Sequence, residues 1–219
     1  MVLVKKNKKD KIDALVKEAM KFYEYKLGDY EFGTDNRKVN IDEETKTIYP
    51  NLSSVKGFGE GVVNILYELG LNEYKNFIEV LTALESNSIN KTIIDKLIKI
   101  NYFKKFGDVN TLLEITRYYH LIFEAKQMSK TKIEENGLTV EFVAKYGNET
   151  AKQVNKLNSE ALLNDLVRAI PYRELTVKEI LDNQKEILDI LTYINPSINK
   201  RLYYVYALDK KQTIVNVDL

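Results

Sequence analysis

The sequence predicts a mainly α-helical fold with a small β-hairpin towards each end. Apolar residues recur at helical spacing through most of residues 51–191. Residues 39–49 instead alternate apolar and polar side chains around an acidic turn, and residues 202–208 and 213–219 form two β-rich runs joined by a short charged link. Hydrophobic residues make up 44% of the 219 residues, which is enough to build a buried core.

The composition excludes several classes of protein. A formal net charge of +1 creates no strong field towards DNA or an acidic membrane, so any electrostatic contact must be local. The chain has no cysteine, which excludes disulfide and thiolate chemistry. No apolar run approaches the roughly 20 residues that a membrane helix needs. We therefore expect a soluble, cytoplasmic protein.

The helices follow from capping residues and apolar periodicity. Asp10 is expected to cap a helix that runs to about residue 27, and a hairpin over residues 39–49 ends at a proline. A short helical turn is predicted at 52–56 and a helix at 60–69, with Gly70 as its stop signal. Asn76, Asn90 and Asp108 are expected to cap helices over 77–86, 91–100 and 108–127.

The helical pattern continues beyond residue 127. Residues 138–147 and 150–170 read as further helices, and Thr176 is expected to open another that reaches about residue 191. After Pro196 the period changes to that of strands, and the sequence stops as a sheet begins. We interpret this as the truncated start of a further β domain.

The stretch VKGFGEGVVNIL, residues 55–66, places Gly57, Gly59 and Gly61 at alternate positions just before a helix. The start of a helix leaves backbone N–H groups unpaired and carries a partial positive charge. Such a site suits an oxyanion, and above all a phosphate group. Side chains on the turn would block its close approach, so glycine is the residue to expect there.

Three ligand-binding motifs compete for this stretch. A P-loop needs a Gly-Lys-Ser/Thr ending after a buried strand, and a dinucleotide fingerprint needs a strand-turn-helix unit; both are missing. A helix-hairpin-helix needs an apolar residue, a spacer, Gly, an apolar residue and Gly, and Val55, Gly57, Phe58 and Gly59 fit. A glycine-rich connection without a ligand remains the alternative. The packed face of the next helix would consist of Val62, Ile65 and Leu66.

Two lysine clusters add local positive charge. One lies on and after the helix at 91–100, where only Asp95 opposes it, and the other lies near the start of the chain. A solvated surface is the alternative interpretation for each, because lysine is abundant throughout. The first cluster consists of Lys91, Lys96, Lys99, Lys104 and Lys105, and the second of Lys5, Lys6, Lys8, Lys9 and Lys11.

The segments IYPNLSSVKGFGEGVVNILYEL (48–69) and INKTIIDKLIKINYFKKFG (89–107) resemble bacterial C-family replicative DNA polymerases, the DNA polymerase III alpha subunit. In that family, Ile-Lys-Gly-(Ile/Val)-Gly-Glu opens a tandem helix-hairpin-helix domain. Residues 186–219 are similar to the approach to the OB domain of the family. This chain departs from the pattern at Asn101, where glycine is usual, and at Lys104, where aspartate is usual.

The resemblance implies a domain plan and a role. The plan is an N-terminal helix and hairpin (1–50), a tandem helix-hairpin-helix DNA-binding domain (51–108), a helical connector (109–195) and the start of a truncated OB-like β domain (196–219). The implied role is sequence-independent duplex DNA binding during DNA replication, by a non-catalytic segment that grips the phosphate backbone behind the active site of a nucleotidyltransferase. Other implied partners are replisome subunits and, through the missing OB domain, single-stranded DNA; no membrane is implied.

No catalytic or metal-ligating residue is predicted. Polymerase chemistry needs closely placed Asp carboxylates, and no Asp-x-Asp pair occurs here. The resemblance implies no cofactor for this segment, allows a monovalent cation at hairpin carbonyls and places Mg²⁺ in the parent polymerase. The predicted DNA-binding residues are Lys56, Gly57, Phe58, Gly59, Gly61 and Asn64 at the first hairpin, and Lys99, Asn101, Lys104 and Lys105 at the second.

Two other classes stay open at this point. One is a helix-hairpin-helix module from a DNA repair nuclease or helicase, which a nuclease or ATPase signature in the parent gene would favour. The other is a helical protein-interaction domain in which the motif is degenerate, which self-association without DNA binding would favour.

Overall fold

A computed structural model describes residues 22–188 and two later strands, Tyr204–Asp209 and Ile214–Asp218. Most of the predicted first helix, the lysine cluster near the start, the continuation of the last helix past residue 188 and the link between the final strands lie outside the described residues. The chain divides into two compact units. The first takes in the described parts of 1–73, 89–103 and 176–219, and the second consists of 74–88 and 104–175.

The first unit combines a small sheet with three helices. Strand β1 (Lys26–Leu27) pairs in parallel with β3 (Thr47–Tyr49), and β2 (Asn40–Asp42) pairs antiparallel with β3 in the register Ile41 to Ile48. A 3₁₀ turn at Leu52–Ser54 leads to helix α1 (Glu60–Gly70). Helix α3 (Lys91–Lys99) packs against α8 (Val177–Leu188). The final strands, β7 (Tyr204–Asp209) and β8 (Ile214–Asp218), pair antiparallel.

An aromatic cluster lies at the core of the first unit. The Phe32 ring lies 5.9 Å from that of Tyr102 and 5.3 Å from that of Phe103, measured between centroids. The Phe32 N–H donates to the Tyr102 carbonyl at 2.9 Å, which ties the segment between β1 and β2 to the turn after α3. Fully buried aliphatic side chains complete this core: Leu52, Leu66, Ile94, Leu97 and Ile98.

The second unit is built around its longest helix. Helices α2 (Phe77–Ser86) and α7 (Ser159–Arg168) both contact α4 (Val109–Ile122). A small antiparallel sheet has three strands, in the spatial order β4 (Gln127–Ser129), β6 (Gln153–Asn155) and β5 (Asn148–Glu149). Two short helices, α5 (Lys130–Glu135) and α6 (Val140–Ala144), lie between β4 and β5.

The prediction of a mainly α-helical fold with a small hairpin towards each end is confirmed. The predicted caps are also confirmed, since Asn76, Asn90 and Asp108 each accept the N–H of the residue three positions on. Thr176 and Glu179 form a reciprocal capping box at the start of α8.

Three predicted helical stretches are wrong. The first helix does not reach residue 27, because Glu24 has a φ of 58° and Lys26–Leu27 is a strand. Helix α4 ends at Ile122 rather than residue 127, since Glu124 also adopts a left-handed φ of 58°. Part of the predicted helix at 150–170 is strand β6, whose Val154 is buried. Short strands of two or three residues leave too little alternation for the sequence pattern to detect.

Helix α1 also differs from its prediction. Gly70 is its last helical residue and not a left-handed stop. A Cβ at Gly70 would lie 2.8 Å from the backbone nitrogen of Gly33, so glycine is required there for close packing of two backbones. The buried face of α1 consists of Val63 and Leu66, whereas Val62 and Ile65 are only half-buried.

The predicted domain boundaries at residues 50, 108 and 195 stay predictions. Within the described residues, every helix falls short of the length and apolar character that crossing a bilayer would require.

Candidate nucleic-acid interface

The glycine stretch forms a tight bend that two apolar anchors hold in place. We call residues 55–61 the first hairpin. Its preceding 3₁₀ turn is capped by the Asn51 side chain, which accepts the Ser53 N–H at 2.7 Å. Val55 and Phe58 are buried, with 7% and 3% of their surface exposed, and the Phe58 N–H donates to the Val55 carbonyl at 3.1 Å. The N–H of Phe58, a predicted DNA-binding residue, is therefore bonded within the turn, and its buried ring anchors the bend.

The three glycines of the first hairpin occupy their positions for different physical reasons. Gly57 has a φ of 99°, a left-handed conformation that costs a residue with a Cβ about 1–2 kcal/mol. Gly59 has a φ of −74° and a ψ of 159°, which any residue can adopt. A Cβ added at Gly59 or Gly61 would meet nothing within 4 Å. The fold therefore requires glycine at position 57 only, and the space around the other two is open.

The start of α1 leaves several backbone donors without a partner among the described residues. The first hydrogen bond into the helix runs from the Val63 N–H to the Gly59 carbonyl at 3.1 Å. The N–H groups of Gly59, Glu60, Gly61 and Val62 precede it, and no side chain caps them. Gly59, Glu60 and Gly61 are exposed to solvent. This is a concentrated set of donors at the positive end of a helix dipole.

Other helix starts in the described ranges are closed by side chains. Hydroxyl, amide or carboxylate oxygens accept a first-turn N–H in each of the seven helices α2–α8. Their capping residues are Asn76, Asn90, Asp108, Ser129, Thr139, Asn158 and Thr176. The start of α1 is thus the open one in this group, and it is open where the sequence supplies glycines.

Cationic and polar side chains surround this start. Lys56 and Asn64, two predicted site residues, are exposed. The Nζ atom of Lys96, on α3, would lie 3.1 Å from a Cβ built on Gly57, so this ammonium group lies directly over the bend. Lys96 belonged to the predicted lysine cluster, but the sequence assigned it to neither hairpin. Only the packing of α3 in the first unit reveals its true neighbour.

An open pocket of about 480 Å³ adjoins the same end of α1. Glu60 and Asn64 line it from the helix, and Arg37 and Lys38 line it from the segment before β2. Arg37 holds Asp35 through two hydrogen bonds, and this pairing lowers the pKa of the Asp35 carboxyl to about 2. The sequence contains no motif that would have drawn attention to Arg37 or Lys38.

The second hairpin, residues 99–103, uses its backbone differently. Asn101 has a left-handed φ of 62°, and its N–H donates to the Ile98 carbonyl at 2.8 Å. The Tyr102 N–H donates to the Leu97 carbonyl at 3.0 Å, which completes a Schellman motif at the end of α3. Lys99 lies 3.3 Å from the Glu186 carboxylate. Internal partners therefore occupy the amides of this bend and one of its predicted cations.

The remaining predicted residues belong to the second unit. Lys104 and Lys105 are exposed on a short 3₁₀ turn, Lys104–Phe106, and the Lys105 ammonium lies 5.1 Å from the centroid of the Phe106 ring. Helix α4 then begins at Val109, and the Asp108 carboxylate accepts the Thr111 N–H at 3.0 Å and the Thr111 hydroxyl at 2.5 Å. A carboxylate at this helix start disfavours a phosphate there.

Comparison with known families adds one finding to this geometry. Residues 29–112 match the family model of the helix-hairpin-helix motif. No curated protein and no solved structure matches the chain. The matched range contains both hairpins and indicates nucleic-acid binding, in agreement with the mainly helical prediction. This match is less specific than the resemblance to a DNA polymerase III alpha subunit, and no comparison identifies that subunit.

Within the residues that the structure describes, no group of three or more His, Asp or Glu side chains could hold a metal ion. Two pairs of neighbouring glutamates, Glu43–Glu44 and Glu134–Glu135, belong to no such group. Glu43 accepts a hydrogen bond from the Tyr25 hydroxyl on the surface, and Glu134 and Glu135 are exposed at the end of α5. The chemistry that this interface offers is anion binding by donors and cations.

Proposed function

We propose that this chain binds duplex DNA through the phosphate backbone, without regard to base sequence, at the start of α1. The observation that carries the proposal is the uncapped helix start between Gly59 and Gly61, where added side chains would meet only open space. A phosphate group can approach these amides closely because no side chain stands in its way. Phosphate contacts position a protein on DNA but carry no sequence information.

The neighbouring charges favour a polyanion over a single small anion. Lys56 and Lys96 lie beside the donors, and Asn64 is exposed one turn further along α1. Glu60 opposes them, because its carboxylate sits at the first helical position. With Glu60 present, one phosphate would bind weakly, whereas a continuous phosphate backbone can contact the amides and both lysines together.

The proposal predicts weak, salt-dependent binding. About 3–5 phosphate contacts give a slope of log K against log salt of roughly −3 to −4, and a Kd of about 10⁻⁴ to 10⁻⁶ M near physiological salt. Fluorescence anisotropy with two duplexes of unrelated sequence, titrated at four salt concentrations, measures both quantities. Equal affinity for the two duplexes and the stated slope are expected. A strong preference for one duplex, or a flat salt dependence, would contradict the proposal.

The finer role that we propose is that of a duplex-gripping segment in the alpha subunit of a C-family replicative polymerase. The quoted family pattern around both hairpins and the C-terminal strand pair support it. Contacts with replisome subunits, and with single-stranded DNA through an OB domain, belong to the same proposal. Sequencing the parent gene tests it, because the palm carboxylates of a polymerase should lie upstream; a nuclease or ATPase signature would favour a repair module instead.

A bound monovalent cation is part of this proposal as well, held by backbone carbonyls of the first hairpin. Duplex titrations in K⁺ and in tetramethylammonium, at equal ionic strength, test it. Tighter binding in K⁺ is expected, because the larger organic cation cannot be coordinated by carbonyl oxygens. Equal affinity in the two salts would remove the cation from the interface.

A further inference from the structure

The pocket beside α1 continues the exposed face of that helix away from the first hairpin. Glu60 and Asn64 are four residues apart and Tyr67 follows three residues later, so the three side chains lie along one side of α1. Tyr67 is two turns, or about 10 Å, from the helix start. That length is enough to reach from one phosphate of a DNA strand to the next.

Arg37 stands at the far end of this face in a fixed orientation. Its guanidinium carbon lies 3.7 Å from the centroid of the Tyr67 ring. Its Nε and Nη2 atoms donate to the two carboxylate oxygens of Asp35 at 2.8 and 2.7 Å. A stacked and doubly hydrogen-bonded guanidinium has lost most of its rotational freedom before any ligand arrives, which lowers the entropic cost of binding.

The held guanidinium keeps capacity for a second anion. Arginine has five N–H donors, and Asp35 takes two of them, so three have no acceptor among the residues that the structure describes. Lys38, next in the chain, is exposed and lines the same pocket. The Arg37–Asp35 pair is neutral overall, so Lys38 adds a positive charge at this end of the pocket, and the Glu60 carboxylate lines the pocket from the helix.

We infer that the pocket is a second phosphate-binding site, in which Arg37 and Lys38 contact the DNA backbone beyond the phosphates held by the first hairpin. This inference rests on the proposed function and extends it. The start of α1 would hold one part of a strand, and the Arg37 end would hold the next part of it. Tyr67 is a positioning residue in this arrangement, because it orients Arg37 and is not required to touch DNA.

The test compares charge-neutralising variants with a matched control. Arg37→Gln, Lys38→Gln and the double variant each remove charge at the pocket. Lys46→Gln is the control, because Lys46 is also an exposed cation of the first unit beside a carboxylate, 3.7 Å from Glu24, but does not line the pocket. Duplex affinity is measured by anisotropy against salt concentration, and circular dichroism checks that each variant is folded.

Each pocket substitution is expected to reduce the magnitude of the salt slope by about 0.9, and the double variant by about 1.8. Lys46→Gln should leave the slope unchanged. Tyr67→Leu keeps every charge but removes the stacking ring, so it should weaken binding severalfold at an unchanged slope.

The outcomes separate this inference from the proposed function. Pocket variants with the wild-type slope would overturn the second phosphate site, and if Gly59→Asp still abolished binding, the first hairpin would remain the DNA site. A loss in Lys46→Gln equal to that in the pocket variants would also overturn it, since general surface charge would then explain the effect. A wild-type chain that binds no duplex would overturn both.

Discussion

Two bends in the first unit each contain a residue with a left-handed φ and differ in what they present to solvent. Residues 56–59, KGFG, and residues 100–103, INYF, each place a left-handed residue before a buried aromatic ring. Gly57 precedes Phe58, and Asn101 precedes Tyr102. The next position is exposed Gly59 in one bend and fully buried Phe103 in the other. One bend therefore exposes its backbone, and the other has a buried core side chain at the corresponding position.

The helix starts repeat this contrast in the two units. In the first unit, α1 begins without a side-chain cap, and its amides stay open. In the second unit, α4 begins with the Asp108 carboxylate bound to Thr111. Within residues 29–112, which match the helix-hairpin-helix model, the start of α1 is open and the start of α4 is closed by a carboxylate.

The largest expected effect comes from giving α1 the cap that α4 has. Gly59→Asp places a carboxylate on the open amides, where it competes with phosphate and repels it. Duplex affinity should fall by at least about tenfold, since like charges at an interface cost several kcal/mol. Stability should stay equal or rise by a few tenths of a kcal/mol, because Asp is a slightly better cap than glycine. Anisotropy and urea denaturation measure the two effects.

Gly59→Ser is the control for this substitution, since it adds a capping oxygen without a charge. It should weaken binding less than Gly59→Asp. Unchanged affinity in a folded Gly59→Asp protein would show that the open helix start is not the DNA site.

The next largest effect is expected from the opposite change, the removal of the side-chain cap of α4. Asp108→Ala removes the cap and should destabilise the fold by about 0.5–2 kcal/mol, because two partners on Thr111 lose their acceptor. Duplex affinity should not change under conditions where the protein stays folded. Thermal unfolding followed by circular dichroism gives the stability change. A gain in duplex affinity would mean that this helix start is a hidden second DNA site.

A smaller effect should distinguish two lysines on one helix. Lys96→Gln should reduce the magnitude of the salt slope by about 0.9, since its ammonium lies over the first hairpin. Lys99→Gln should change the slope less, because Lys99 already has Glu186 as a partner. Salt titrations of both variants side by side decide the matter. Equal slope changes would place the second hairpin back in the interface.

The smallest effect concerns Asn101, one of the two residues at which this chain departs from the related pattern. Asn101→Gly restores the usual glycine and should change stability by only a few tenths of a kcal/mol, since both residues tolerate the left-handed conformation. Duplex affinity should stay the same, because the amides of this bend are already hydrogen-bonded. Tighter duplex binding in this variant would show that Asn101 limits a functional second hairpin.

Much of this arrangement can be predicted from the sequence because it is local. A capping Asn or Asp acts on an N–H three residues away, so Asn76, Asn90 and Asp108 could be identified without a structure. Alternate glycines before a helix likewise predict the open bend, and buried Val55 and Phe58 confirm its apolar anchors.

The parts that could not be predicted depend on contacts between distant segments. Lys96 lies over Gly57 only because of how α3 packs in the first unit, and the sequence assigned Lys96 to neither hairpin. Arg37 becomes a fixed donor only when Tyr67 comes within 3.7 Å of it. The short sheet at 127–155 was missed because strands of two or three residues carry too little period.

The contact between Gly33 and Gly70 has a consequence for sequence variation. Two main chains touch there with no room for a methyl group between them, since a Cβ at Gly70 would lie 2.8 Å from the Gly33 nitrogen. Any larger residue at position 70 would push the 33–38 segment outward and shift Arg37 relative to its helix. Position 70 is remote from the proposed ligand, but it should tolerate almost no replacement in homologues that keep Arg37. Homologues with a larger residue at position 70 should also have lost that arginine.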